Sequence, residues 1–407
     1  MYIKAMRSAV PAILATGLAA ASLPSQAVDF DGYFRAGTGA ASKNAARACY
    51  NLGISGGHYR LGNECDIYGE FGLSQVGTVD GASYKAKVMF NMYNPGTDTG
   101  ASKVGINQMY VETKGLDLAP QTNFWAGKRW YGRTDVHIVD TFFVNMSGVG
   151  AGADSIALAG GKLGVAYFGT DGSGATGSST NPGHRLNVDL GELPVNPGGK
   201  LRLVGTFIKG NFDNATDGKG TSGFGMTVQH NQEITGIGAN NTAWLQYAQG
   251  SAGLDSNFGT LTAPSSVKQV RLIESISWQV GAFGGQAIGL IGSHDKDDIN
   301  GVVKYTELSI GGRGSYAVTK NFKLVAEAGY MEKKPDGQAK QKLAKFTIAP
   351  TLSTGPGFWN RPELRLYVTT AKWNAAANAA SGLGGLTGIG DGKTKGTSYG
   401  AQAEIWF

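Results

Sequence analysis

The last eleven residues, 397–407 (TSYGAQAEIWF), alternate between two faces. Tyr399, Ala401, Ala403, Ile405 and Phe407 share one, and Gly400, Gln402, Glu404 and Trp406 share the other. A period of two is that of a β-strand. The same parity recurs along the chain. In VDFDGYFRAG, Phe30, Gly32, Phe34 and Ala36 oppose Asp29, Asp31, Tyr33 and Arg35. In CDIYGEFGL, Ile67, Gly69, Phe71 and Leu73 oppose Asp66, Tyr68 and Glu70. Leu308, Ile310, Tyr316 and Val318 alternate with Glu307, Ser309, Arg313 and Ser315, and Leu324, Ala326 and Tyr330 with Lys323, Glu327 and Gly329. Leu364, Leu366 and Val368 alternate with Arg365, Tyr367 and Thr369.

Many strands with one apolar and one polar face suit a wall between lipid and water. Only a closed sheet satisfies every backbone donor and acceptor there. Glycine, at 64 of 407 residues, is roughly twice its usual share and punctuates the strands. A membrane strand needs about 9–11 residues, and with turns and loops about 16–18 strands fit, enough to leave an aqueous lumen. The expectation is an all-β protein, a transmembrane antiparallel β-barrel. A soluble sandwich or solenoid is the competing reading, but no short repeat marks a solenoid.

The start of the chain reads as an export address. Lys4 and Arg7 precede a mostly apolar stretch from Ala9 to Ala21, and Ser25-Gln26-Ala27 offers a cut before Val28. Residues 1–27 are therefore expected to be a cleavable signal peptide and 28–407 a single barrel in the outer membrane of a Gram-negative envelope. Cys49 and Cys65 then meet an oxidising compartment, which favours a disulfide over two free thiols. The net charge, +6, is dispersed, with no basic run to follow a nucleic-acid backbone.

The inward faces carry rings beside charges: Tyr33 near Arg35, Tyr68 near Glu70, Trp406 near Glu404. A plain water pore has no use for this pairing. A sugar does, because an aromatic plane covers its C–H side while charged groups bond its hydroxyls. The alternative for each ring is an interfacial girdle or internal packing.

These stretches resemble the maltoporin (LamB-type) family of sugar-specific porins. VDFDGYFRAGTG and HYRLGNECDIYGE are similar to its first two strands and disulfide-closed first loop. FWAGKRWYGRTDVHIVDTFFVNMSGVGAG (124–152) is similar to the strand and third loop that folds into the channel, giving a constriction loop at about 131–152. FWNRPELRLYVTTAKW (358–373) and the terminal GAQAEIWF match too, while 170–340 agrees only in texture.

The resemblance implies eighteen strands, a homotrimer, and facilitated diffusion of maltose and maltodextrins along an aromatic track. Tyr33, Tyr68, Trp359 and Trp406 fall at track positions, with Phe224 a further member for which Met226 competes; Tyr93 lies near the position that a neighbouring subunit supplies. Arg35, Arg60, Glu70, Arg133 and Asp140 match positions that bond sugar hydroxyls. Phe142 stands in place of the constriction tyrosine and Asn145 in place of an aspartate, which leaves the preferred sugar open: a general diffusion porin, or a channel for sucrose or a β-glucoside, are the alternatives.

No catalytic residue, metal ligand or cofactor site is assigned. The run 135–140 (DVHIVD) does not form a compact metal motif, and His137 is read as packing or hydrogen bonding within the inward loop. Neither a nucleophile with its base nor a phosphate-binding strand–glycine–helix pattern can be placed, so an outer-membrane enzyme is set aside. Carbohydrate solutes and outer-membrane lipid are the expected partners. Asn374–Gly396 and Gly172–Gly183 read as long external loops, surfaces open to phage docking.

Overall fold

The computed structural model describes residues 28–42, 45–46, 48–96, 102–170, 181–215 and 217–407. The expected signal peptide lies outside them, as does most of the loop expected at Gly172–Gly183. Among the described residues the main sheet holds nineteen strands, one of which is the two-residue bridge Ala45–Ala46; the other eighteen build the wall.

In chain order these are β1 (Asp29–Ala41), β2 (Ile67–Val79), β3 (Ala82–Asn94), β4 (Lys103–Lys114), β5 (Asn123–Arg129) and β6 (Gly148–Leu158). There follow β7 (Gly161–Thr170), β8 (Gly183–Asn196), β9 (Gly199–Gly210), β10 (Ser222–Ile234), β11 (Ala239–Gly250) and β12 (Lys268–Val280). The last six are β13 (Phe283–His294), β14 (Tyr305–Ala317), β15 (Phe322–Pro335), β16 (Gln341–Ser353), β17 (Glu363–Trp373) and β18 (Lys395–Trp406). Each pairs antiparallel with the next, and β1 pairs with β18, so the sheet closes with no free edge. This is the expected eighteen-stranded barrel.

The alternation read from sequence is the one the wall uses. Leu364, Leu366 and Val368 are exposed on the outside, while Arg365, Tyr367 and Thr369 are buried inside. No helix among the described residues is long and apolar enough to cross a membrane. Tight turns such as 80–81 and 159–160 join strands at one end. Long segments join them at the other, which marks the extracellular side. The segment after β17 contains a short helix, α1 (Ala375–Ala380), capped by the Asn374 side chain.

Three of the long segments turn into the lumen. Residues 130–147 do so because Val136, Ile138, Val139, Phe143, Val144 and Met146 are apolar and wholly shielded from solvent there. Arg202 holds the start of this segment through the Gly132 carbonyl (3.0 Å) and Thr134 Oγ1 (2.9 Å). Arg185 holds its end through the carbonyls of Met146 (2.7 Å) and Ser147 (2.9 Å). The segment stops at Ser147, short of the 152 expected, because Gly148 already pairs with Arg129 in the wall.

The first long segment, closed by the Cys49–Cys65 disulfide, docks against β14–β16. Tyr59 is fully buried, with its hydroxyl 2.8 Å from Ser309 Oγ. A Cβ at Gly311 or Gly329 would collide with its ring, so the two glycines form its slot. Glu327 accepts the Leu61 amide at 2.9 Å, and Lys345 donates to the carbonyls of His58 and Tyr59. Residues 251–267 pack on the opposite side, where Asn187 donates to the Ser256 carbonyl and Gln246 to the Leu254 carbonyl.

Candidate functional site

Strand register fixes where the rings lie. Tyr93 on β3 pairs with Tyr68 on β2. Tyr68 pairs with Arg35 on β1, two residues above Tyr33, and Tyr33 pairs with Trp406 on β18. Trp359 follows in the turn between β16 and β17. Because Tyr93 and Tyr68 sit near the extracellular ends of their strands and Trp406 at the other end, the register produces a descending row. Tyr33 and Tyr68 have centroids 6.4 Å apart, as do Trp359 and Trp406.

The inward segment faces this row. Tyr33, Tyr68, Tyr93 and Trp406 line a cavity of about 420 Å³ together with Arg35, Arg60, Asp66, Glu70, Arg133, Asp135, His137, Asp140 and Phe142. The charged groups hold one another in place. Arg35 pairs with Glu64 (3.1 Å), Asp66 (3.0 Å) and Asp140 (3.2 Å). Glu404, wholly buried behind Trp406, meets Arg60 (3.1 Å), Arg361 (3.0 Å) and Arg365, and accepts from the Tyr33 hydroxyl at 3.1 Å. Tyr68 donates to Glu70, and Asn107 donates to both. Arg133 lies between the rings of Trp130 (4.0 Å to the centroid) and Phe142 (3.7 Å). Such pre-ordered donors and acceptors present a fixed polar surface.

His137 does more than pack. Its ring meets the rings of Trp359 and Trp406 edge-on at 5.4 and 5.5 Å, and its two nitrogens lie 3.4 Å from Arg60 Nη1 and 3.3 Å from Arg361 Nη2. Burial holds the imidazole well below its ordinary range; Arg60, Arg313 and Arg361 push the same way and Glu404 opposes them. A neutral ring accepts at only one nitrogen, so one of the two arginine contacts is a hydrogen bond and the other is not.

One expectation is corrected. Phe224 points out of the barrel. It shares parity with exposed Met226, while Thr227 and Gln229 are buried on the inner face, and its ring packs at 5.4 Å against exposed Phe207 on β9. Its register partner is that same Phe207. Both rings belong to the outer wall near its extracellular rim. Asn145 is not among the residues that line this cavity; its backbone N–H donates to the Asp255 carbonyl at 2.7 Å. Trp359 lies just beyond the cavity, beside Trp406.

Asp66, Asp135, Tyr93 and Arg361 were missed or left unassigned. Tyr93 was hard to read because β3 carries apolar residues on both faces, with Met89 buried inside and Phe90 and Met92 exposed outside. Parity alone would still have placed it inward. Arg361, whose guanidinium covers the Trp406 ring at 4.2 Å, sits in a turn where parity says nothing.

Comparison with known proteins agrees with this architecture. The crystal structure of Pseudomonas aeruginosa OccD3 (OpdP) superposes with a TM-score of 0.50 at 10% identity, over 94% of this chain and 91% of that one. Acinetobacter baumannii OccAB1 gives 0.50 at 10% identity, over 93% and 96%. At such identity the likeness is one of fold. The family model described as LamB porin matches residues 28–407, so the chain belongs to the LamB porin family and is a solute channel of the Gram-negative outer membrane.

Proposed function

We propose that the channel passes saccharides by facilitated diffusion, with maltose and maltodextrins the first candidates. The observation that carries this reading is the descending row Tyr93, Tyr68, Tyr33 and Trp406, set opposite a fixed charged surface in one cavity and continued beyond it by Trp359. A pyranose sliding along the rings keeps its C–H face covered. Meanwhile its hydroxyls exchange water for Arg35, Arg60, Glu70, Arg133 and Asp140. Each contact is weak enough to release, which a conducting site requires.

Phe142 presents a ring without a hydroxyl, and its face is occupied by Arg133. Selection at this point then rests on Arg133, Asp135 and Asp140, and a panel that includes sucrose and β-glucosides separates the candidate sugars. On the likeness to maltoporin, the assembly is a homotrimer and residues 1–27 are removed on export. The test is single-channel current in a planar bilayer. Millimolar maltooligosaccharide should interrupt the current, and a current that no sugar in the panel interrupts rules the reading out.

A further inference from the structure

The outer wall carries a charged patch that the transport path does not use. At the extracellular ends of β15–β18, Lys334, Lys342, Lys372 and Lys395 all point away from the lumen and are exposed, and Lys340 lies exposed in the adjoining turn. Register crowds them. Lys372 stands directly opposite Lys395, and Ala344, two residues below Lys342, stands opposite Lys372. Like charges directly opposite on paired strands repel.

One carboxylate relieves part of the cluster: Glu332 meets Lys340 at 2.6 Å and Lys342 at 3.7 Å. Among the described residues none pairs with Lys334, Lys372 or Lys395. With Asp336 exposed in the same turn as Lys340, five lysines against two carboxylates leave +3 on these four adjacent strands and their turn. Elsewhere on the extracellular rim, Lys209 and Lys268 stand singly on their strands. At the opposite end of β15–β17 the outward residues are Leu324, Leu352 and Leu364, all apolar and exposed. The patch is thus confined to one sector and to one end.

Its height matters. Phe346, Val368 and Tyr399, exposed on the same faces, lie four residues below Lys342, Lys372 and Lys395, or about 13 Å along the strand. The lysines therefore stand just above the apolar band, at headgroup level. Surface charge there is attracted to anionic lipid.

We propose that this patch binds the phosphate groups of the phosphorylated glycolipid that forms the outer leaflet, lipopolysaccharide. The acyl chains would lie on the apolar band and the sugar-borne phosphates on the Lys372–Lys395 pair and Lys342. Charge complementarity selects this occupant over a zwitterionic phospholipid.

The test uses the purified full channel in detergent, with lipid A added and retention read by native mass spectrometry. Bisphosphorylated lipid A should be held by the native protein. The triple variant K342Q/K372Q/K395Q should hold it roughly tenfold or more weakly, with single-channel conductance unchanged as proof of folding. The variant K342R/K372R/K395R should retain it. The proposal is overturned if the glutamine variant binds as well as the native protein, or if dephosphorylated lipid A is held equally well. Full displacement by millimolar inorganic phosphate would also overturn it, by making free phosphate the occupant.

Discussion

The guanidinium of Arg133 lies 3.7 Å from the centroid of the Phe142 ring, both residues belonging to the same inward segment. Trp130 holds it as well, and among the described residues no carboxylate forms an ion pair with this cation. Stacking of this kind contributes about 0.5–2 kcal/mol. Phe142→Ala should therefore let Arg133 wander, raising open-channel current noise and weakening sugar block. Noise spectra identical to those of the native channel would show that the ring does not hold the arginine.

Trp406 sits at the seam of the aromatic row, between Tyr33 and Trp359. Trp406→Ala should weaken saccharide block by roughly fivefold to tenfold, the value of one stacking contact, while leaving ion conductance within a small factor. Current-block titrations with maltooligosaccharides measure this. An unchanged affinity removes the residue from the track.

Phe224 gives the opposite expectation, because its ring lies on the outer wall with Phe207. Phe224→Ala should leave sugar affinity as it is. Its effect belongs to stability in the bilayer, read as a lower unfolding temperature in detergent or lipid.

Glu404 receives Arg60, Arg361 and Arg365 and is shielded from solvent. Removing one member of such a buried set leaves charge uncompensated, at about 3–5 kcal/mol. Glu404→Gln should lower the denaturant midpoint accordingly and shift the reversal potential in a salt gradient toward anion preference. A stable variant with unaltered ion selectivity would contradict both parts.

The slot for Tyr59 depends on two glycines. Gly329→Ala places a methyl group against the ring, and overpacking typically costs about 1–3 kcal/mol. The first long segment should loosen, and because it carries Arg60, sugar affinity should fall along with the unfolding midpoint. The paired variant Gly329→Ala with Tyr59→Ala should recover part of the lost stability.

Local alternation was enough for the wall. Leu364 to Thr369 and Tyr399 to Phe407 face the sides their parity assigns, since lipid and water impose a rule that each strand obeys alone. The case of Phe224 is instructive. Parity with Met226 and Val228 already pointed it outward, and only the loosely matched resemblance pulled it into the track. Contacts between distant residues were not legible. Nothing around Tyr59 announces Gly311 and Gly329, and Asn145 meets Asp255 only because two separate segments enter the same lumen. The charged residues Arg35, Arg60, Glu70, Arg133 and Asp140 were legible in the blocks that resemble the family, whereas Arg361, within such a block but in a turn, was not.

Tyr33 and Trp406 face each other across the junction of the first strand with the last. No neighbouring hairpin can form that junction; it waits for β1 and β18 to meet. Sealing the cylinder and completing the rail for solute are thus one event in biogenesis, and a lesion that keeps the ends apart abolishes insulation and uptake together.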